Sequence, residues 1–328
     1  MNHNILIVGH TFDPHIEKVA SFLRLWGSRV VIFDRFAHGS KLSLSISKNG
    51  VGGYVKTSEC SISFEDVDAV WWRLKPMIIN EITGVFTQAS EEFASREWRM
   101  AIRSLPYFCD HALWVNPLVS QHEINFKPYQ LRLAHEVGFQ TPTSFFTNDP
   151  EAVLKLFSTF DEVVYKTLGW CIFPPDEVIY TSKVSREMVD ESREGIGKAP
   201  GIFQQFIRKK SELRVTVVGD EVFAVSIDSA KHSTATVDWR KAQFEDMFSK
   251  TDMDAKDEAK LLAFHNRAGL QFGAYDFIVS ERGDLIFLEC NPSGQWLWIE
   301  EKINLPIAER HARLLFNGAK AVSCRSGP

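Results

Sequence analysis

The chain has 328 residues, of which 45% are hydrophobic and 24% are charged, and its formal net charge is −5. This composition is typical of a globular protein with two or three packed domains. The net negative charge disfavours sequence-independent binding of nucleic acid, so we expect no nucleic-acid partner.

The cysteines and the chain ends indicate a cytoplasmic protein. The five cysteines, Cys60, Cys109, Cys171, Cys290 and Cys324, form no CxxC pair, which argues against a zinc site or a disulfide framework. The N-terminus lacks the pattern of a signal peptide, and no stretch approaches about 18 continuous apolar residues. We therefore expect reduced thiols and no membrane partner.

Residues 1–115 are predicted to form one domain. Its predicted elements are a strand at 5–9, a helix at 17–27, and strands at 30–34 and 68–74, followed by a helix around 91–105. Strand, helix and strand within about 30 residues is a βαβ unit with parallel strands. The turn after the first strand reads GHTFDPH rather than GxGxxG, which predicts a Rossmann-like scaffold without a dinucleotide. We expect His10 and His15 to be turn and helix-start residues rather than ligands.

Residues 116–200 are predicted to form a second domain. Its predicted elements are a helix bearing Lys127, a strand within 138–149, a helix at 151–160, a strand at 161–168 and a pairing segment at 177–184. Lys166 lies in the apolar strand VVYKTL, where an ammonium group is costly to bury without an anion. A phosphate partner and a strand-edge lysine that reaches water both explain it.

Residues 201–320 are predicted to form a third domain, followed by a tail at 321–328. Its predicted elements are a strand at 201–207, a hairpin at 214–227 around Gly219-Asp220, a helix at 256–269 and a hairpin at 275–292. The two hairpins follow from alternating apolar residues on either side of turn signals.

The second predicted hairpin places two acids together. If its turn is centred between Arg282 and Gly283, Asp276 pairs directly with Glu289, with Cβ atoms about 5 Å apart. Asn291 lies two residues further along, on the same face. Like charges this close destabilise a sheet unless something compensates them. Either Mg²⁺, which prefers oxygen ligands, or a solvated face with one raised pKa would resolve the conflict.

Two arginines are candidates for charge stabilisation. Arg214 starts the first hairpin, and Arg240 ends the stretch TATVDWR, where it shares a face with Asp238 if the segment is extended. Arginines directed at a transferring phosphoryl group stabilise the developing charge. The alternative for each is ordinary ion pairing at the surface.

These motifs resemble a known family. LECNPSGQW (288–296) with Asp276 upstream resembles the metal-binding end of the ATP-grasp superfamily. The segments 202–227, VDWR (237–240) and VWWRLKP (70–76) resemble the graspetide synthetases, the microviridin-type ligases that crosslink ribosomal precursor peptides. The resemblance covers nearly the whole chain. It implies an α/β (α+β) three-domain ATP-grasp fold whose Rossmann-like first domain is a pre-ATP-grasp domain.

The resemblance also implies roles for individual residues. The residues implied to contact ATP are Lys127, Lys166, Gln205, Phe206, Ile207 and Glu212. Two Mg²⁺ ions are expected, bound by Asp276, Glu289 and Asn291. The implied catalytic residues are Arg214, Arg240 and Asp238. Relatives often carry an acid where Gln205 stands, and the loop after Lys166 has only Gly169 to cover phosphates. Asp238, His232 and Glu300 are candidates for a general base, and each also has a structural explanation.

The implied activity is ATP-dependent formation of an acyl phosphate on Asp or Glu side chains of a precursor peptide with leader and core. Closure of ester or amide crosslinks follows, and the implied assembly is a homodimer. Two other functions remain open: an ATP-grasp ligase that joins an amino acid to a protein or small-molecule carboxylate, and a peptide-binding protein without catalysis. Retention of Asp276, Glu289 and Asn291 argues against the last, because a binder has no use for them.

Overall fold

The first part of the chain contains a parallel sheet and a small antiparallel sheet. The computed structural model describes residues 3–48, 50–74, 87–169, 172–173, 177–229 and 245–325. The elements of the first part are β1 (Asn4–Val8), α1 (Pro14–Leu25), β2 (Arg29–Phe33), β3 (Lys41–Ser47), β4 (Gly50–Lys56), β5 (Ser61–Ser63), β6 (Ala69–Trp72), α2 (Gln88–Arg103) and β7 (Leu113–Val115). The parallel strands have the order β2-β1-β6-β7, which confirms the predicted βαβ unit, and β3, β4 and β5 form the antiparallel sheet.

Helix α1 begins three residues before its predicted start. The side chain of Asp13 accepts a hydrogen bond from the backbone N–H of His15, and Pro14 occupies the first helical position. Both residues favour a helix start at this point. The helix ends at Leu25, and Gly27 adopts a φ of +83°, a conformation that glycine tolerates after a helix.

The middle of the chain adds an antiparallel sheet. Its elements are α3 (Leu118–Ile124), α4 (Lys127–Glu136), β8 (Ser144–Thr147), α5 (Pro150–Leu156), β9 (Val163–Lys166), β10 (Ile172–Phe173), β11 (Glu177–Val178), β12 (Ser182–Val184), α6 (Arg186–Glu191), α7 (Arg193–Lys198) and β13 (Gly201–Gln205). The sheet has the order β12-β9-β13-β8. Only β12 of the predicted segment 177–184 pairs with β9, because β11 pairs with β10 instead. Strand β13 lies between β8 and β9, so the predicted boundary at residue 200 falls just before a strand of this sheet.

The last part forms a five-stranded antiparallel sheet. Its elements are β14 (Lys209–Val218), β15 (Glu221–Ile227), β16 (Phe248–Thr251), α8 (Ala255–Arg267), β17 (Phe272–Ser280), β18 (Leu285–Asn291), α9 (Leu297–Ile303) and α10 (Ile307–Arg325). The strand order is β16-β15-β14-β17-β18, and both predicted hairpins are confirmed. Helix α10 continues to Arg325, so the predicted tail begins inside a helix.

Helix α10 returns to the parallel sheet and joins the two ends of the chain. It packs against α1, β6 and β7. One core cluster contains Ile5 and Ile16 from the first part together with Trp296 and Leu315 from the last. Because the parallel sheet and the loop that follows β18 both contribute apolar side chains to this one core, the core holds the sheet against the loop. No helix in the described part of the chain is both long and apolar enough to cross a lipid bilayer.

The crevice at the carboxyl ends of β1 and β6 is already filled. From β1 the chain adds β2 on one side of the sheet, and β6 and β7 lie on the other side. Open α/β sheets bind ligands at such a point, where the strand order reverses. Arg73 follows β6 at this point, and its guanidinium donates hydrogen bonds to the carbonyls of Ser293 and Gly294. The loop after β18 therefore occupies the position that a dinucleotide takes in other sheets of this type.

Candidate active site

The hairpin of β17 and β18 pairs Asp276 with Glu289, as predicted. The register changes beside this pair, because Phe277 pairs with Phe287 and Leu288 is the extra residue of a bulge. The predicted turn centre therefore holds only for the pairs beyond the bulge. The bulge was not evident in the sequence, yet it leaves the two acids opposite each other.

Two cations lie against the two acids. Arg214 is opposite Asp276 on the neighbouring strand β14, and its Nη1 lies 2.8 Å from Asp276 Oδ1. Lys127 Nζ lies 3.4 Å from Glu289 Oε2, and Asn291 Nδ2 lies 3.4 Å from Glu289 Oε1. Arg214 and Asp276 are 6% and 5% exposed, so this ion pair is removed from bulk water. The structure thus brings together five of the predicted residues.

Helix α4 brings Lys127 to this cluster. Lys127 is the first residue of α4, which packs against β18. One turn later, Gln130 donates a hydrogen bond from Nε2 to the carbonyl of Cys290 and accepts one at Oε1 from the Cys290 N–H, both at 2.8 Å. Cys290 lies between Glu289 and Asn291, so Gln130 fixes the helix to the strand that carries these two groups. Sequence analysis missed Gln130; its spacing of three residues from Lys127 is the only signal.

The donor set fits Mg²⁺. Asp276 and Glu289 would supply two carboxylates, and Asn291 would supply an amide oxygen if its side chain turned from the orientation seen here. Magnesium binds with one or two carboxylates when phosphates and water complete its octahedral shell. Within the described ranges, no group of three or more His, Cys, Asp or Glu side chains is arranged for a metal ion.

A second buried ion pair lies next to the acids. Glu212 lies two residues before Arg214 on β14, and Lys209 Nζ pairs with its carboxylate. Burial raises the pKa of Glu212; Lys209 opposes this shift, and Asp276 adds to it. Sequence analysis missed Lys209, because regular alternation puts it on the other face from Glu212. A register shift between Lys209 and Ser211 changes that orientation.

The segment predicted to contact adenine, residues 205–207, begins at the last residue of β13. The N–H groups of Gln205 and Phe206 donate to the carbonyls of Thr143 and Glu162, at 2.9 and 3.0 Å. These two amide hydrogens are therefore used within the protein, which narrows the predicted contact with adenine to other backbone groups of residues 205–207. Lys183 Nζ lies 4.1 Å from the centre of the Phe206 ring and is a further cation that sequence analysis missed.

Two further candidates in the described part of the chain, Lys166 and Glu300, belong to other elements. Lys166 is the last residue of β9 in the four-stranded sheet, where it pairs with Ile202 of the neighbouring strand β13. Lys127, in contrast, lies beside the five-stranded sheet. Glu300 accepts a hydrogen bond from the Ala308 N–H, which gives it a structural role at the start of α10. Three candidates, His232, Asp238 and Arg240, lie outside the described residues.

Comparisons with known proteins agree with this architecture. The family model of the MvdD pre-ATP-grasp domain matches residues 4–122. A RiPP-associated ATP-grasp ligase of Chryseobacterium gregarium, solved with ADP and a leader and core peptide, superposes with a TM-score of 0.86 at 28% identity, covering 100% of this chain and 98% of that chain. The chain is an ATP-grasp ligase, and it is similar to RiPP-associated ligases over almost its whole length.

Two further structures resemble this ligase along almost its whole length. The macrocyclase MdnC of Microcystis aeruginosa MRC, solved with the precursor peptide MdnA, gives a TM-score of 0.84 at 28% identity, covering 96% of this chain and 99% of that chain. The macrocyclase MdnB of the same organism gives 0.78 at 28% identity, covering 95% and 99%. No curated protein matches the ligase.

Proposed function

We propose that the ligase uses ATP and Mg²⁺ to crosslink a ribosomal precursor peptide through its Asp or Glu side chains. The observation that carries this proposal is the meeting of Asp276, Glu289 and Asn291 with the cations Lys127 and Arg214. The peptides bound to the Chryseobacterium ligase and to MdnC support a peptide with leader and core as the substrate.

The proposed reaction has two steps. A carboxylate oxygen of the peptide attacks the γ-phosphorus of ATP, the bond to the bridging oxygen breaks, and ADP leaves. A hydroxyl or amine of the same peptide then attacks the acyl carbon, phosphate leaves, and the nucleophile loses its proton. The product is an ester or an amide ring.

The cations of the site suit the first step. Lys127 is partly exposed and its 3.4 Å contact with Glu289 is long, so its ammonium group can turn towards a phosphate. Arg214 is held rigidly by Asp276 and can stabilise charge that develops on the transferring group. Mg²⁺ at the acids would supply further neutralisation of the phosphates, and we propose two ions.

The other assignments are proposals from the family resemblance. Lys166 would contact phosphates, and the backbone of residues 205–207 would contact adenine. Glu212 would bind ribose, while Asp238 and Arg240 would position the acid of the substrate. We also propose that the protein is a cytoplasmic homodimer with three domains, at 1–115, 116–200 and 201–320.

Mass spectrometry tests the proposal directly. The protein is incubated with ATP, Mg²⁺ and the peptide encoded beside its gene, and we expect the loss of one water for each ring. AMPPNP in place of ATP, and the variant Glu289→Gln, should leave the peptide unchanged. A product that gains the mass of an amino acid would instead identify a ligase that joins separate molecules.

A further inference from the structure

The loop that follows β18 is held by side chains from the first part of the chain and from the start of its middle part. Asn116 Nδ2 donates to the Pro292 carbonyl and Gln121 Nε2 donates to Ser293 Oγ, both at 2.8 Å. Arg73 Nη1 donates to the carbonyls of Ser293 and Gly294 at 2.9 and 3.0 Å. His15 Nε2 accepts from the N–H groups of Trp296 and Leu297, both at 3.2 Å. Nearly every residue of this loop is thus fixed from outside its own sheet.

Arg73 is the central group of this junction. It is 1% exposed, and its Nε lies 3.1 Å from Asp13 Oδ2. The other oxygen of Asp13 lies 2.8 Å from His15 Nδ1. Since His15 Nε2 accepts from two backbone N–H groups, its proton is on Nδ1 and is donated to Asp13. Asp13 therefore orients two of the side chains that hold the loop, Arg73 and His15.

The opposite side of the same loop touches the active site. Arg214 Nη2 donates to the carbonyl of Gln295 at 3.2 Å, while its Nη1 pairs with Asp276. A Cβ atom added at Gly294 would lie 3.0 Å from Arg214 Nη2. Arg73 and Arg214 thus hold three consecutive carbonyls, those of residues 293, 294 and 295, from opposite sides.

A buried guanidinium is an expensive way to join two parts of a protein. Burial lowers the pKa of Arg73, and Asp13 opposes that shift. Apolar side chains would join the same surfaces without this desolvation cost. What an arginine adds is a rigid planar group: Asp13 holds its Nε, and Nη1 then donates to both carbonyls in fixed directions.

We propose that Arg73 is a positioning residue for Arg214. By holding the carbonyls of Ser293 and Gly294, it fixes the Gln295 carbonyl and through it the guanidinium of Arg214. The parallel sheet thereby contributes to the geometry of phosphoryl transfer. This inference rests on the proposed role of Arg214 at the γ-phosphate.

A double-mutant cycle with Arg73→Lys and Arg214→Lys tests this coupling. Lysine at position 73 keeps a positive charge near Asp13, but its ammonium group lacks the rigid plane that binds Asp13 through one nitrogen and both carbonyls through another. We expect Arg73→Lys to lower kcat on the order of 10- to 100-fold with little change in KM for the peptide, since small misplacements of catalytic groups cost this much. In the Arg214→Lys background, Arg73→Lys should have little further effect. Fold-changes that multiply would overturn the proposal.

A second double-mutant cycle uses the same variants and measures their affinity for Mg·AMPPNP by calorimetry without peptide. Here too, Arg73→Lys should have little further effect in the Arg214→Lys background. If the wild type binds this nucleotide but modifies no peptide, the proposed substrate is wrong and this cycle still decides the inference. If Arg214→Lys alone changes neither affinity nor turnover, the role of Arg214 and the inference fall together. A matched control is Arg29→Lys, because Arg29 also donates to a carbonyl, that of Ser61, away from the loop.

Thermal unfolding shows whether each variant is folded. Should Arg73→Lys fail to fold, Gln121→Ala removes only the bond to the Ser293 hydroxyl and loosens the same loop. We expect a smaller loss of kcat that again disappears in the Arg214→Lys background. Independent effects of Gln121→Ala and Arg214→Lys would overturn the proposal.

Discussion

Gly294→Ala should disturb both the stability and the activity of the ligase. An added Cβ would lie 2.4 Å from Ala274 Cβ, 3.0 Å from Arg214 Nη2 and 3.3 Å from the Asn291 carbonyl. Carbon atoms in contact prefer a separation of about 3.5–4.0 Å, so the first distance requires a movement of roughly 1 Å. Ala274 lies on β17 between β14 and β18 and is fixed by both neighbours. The loop must therefore move.

The size of the effect follows from this displacement. Inserting a methyl group into a packed site costs about 1–3 kcal/mol of unfolding free energy. A shift of about 1 Å near a catalytic group lowers turnover on the order of 100-fold. Urea unfolding and the rate of ADP formation with peptide measure the two effects. Gly52→Ala is the matched control, because nothing lies within 4 Å of its added Cβ.

Two outcomes would contradict the proposed link between the loop and Arg214. If Gly294→Ala keeps the wild-type kcat while losing stability, the loop can move without displacing Arg214, and its contact with the Gln295 carbonyl does not set the geometry of the site. If neither property changes relative to Gly52→Ala, the packing around Gly294 is looser than the distances require.

Three other changes have defined outcomes. Glu289→Gln should lower ADP formation on the order of 100-fold without loss of peptide affinity; unchanged hydrolysis would contradict the metal assignment. Lys127→Met should weaken Mg·AMPPNP binding about tenfold by calorimetry, and unaltered affinity would exclude a phosphate contact. Burial lowers the pKa of His311 to about 3, so below pH 6.5 the unfolded chain binds a proton that the folded chain does not. Stability should fall by about 2 kcal/mol between pH 7 and pH 5 from this group. In urea unfolding, His311→Phe should remove this fall in unfolding free energy, whereas His38→Asn should keep it. An equal fall in both variants would contradict the assignment to His311.

The sequence predicted the parts of the site that depend on local periodicity. Asp276 and Glu289 could be paired because a tight turn and a period of two residues determine which side chains meet. Asn291 followed from the same alternation. The turn itself is centred differently from the prediction, and the bulge at Leu288 shifts the register by one residue and so restores the predicted pair.

Other parts depend on irregular or distant contacts. Lys209 reaches Glu212 only through a register shift, which regular alternation cannot predict. The contacts of Arg73 with the loop after β18 span more than 200 residues of sequence. Strand β13 could not be assigned to its sheet, because an apolar strand next to a turn has no local signal for which distant strands it will join.

The turn after β1 also has a physical explanation that its sequence alone did not supply. In a dinucleotide site, the free N–H groups at the start of the following helix receive a pyrophosphate. Here the N–H of His15 at the start of α1 is bonded to the carboxylate of Asp13 at 2.9 Å, so a negative charge already occupies that position. Gly9 permits close packing, since an added Cβ would lie 2.5 Å from Ile16 Cδ1 and 3.3 Å from Arg73 Cβ. The carboxylate that occupies the phosphate position is the one that binds Arg73, so Asp13 both takes the place of a ligand at this sheet and holds the residue that contacts the loop after β18.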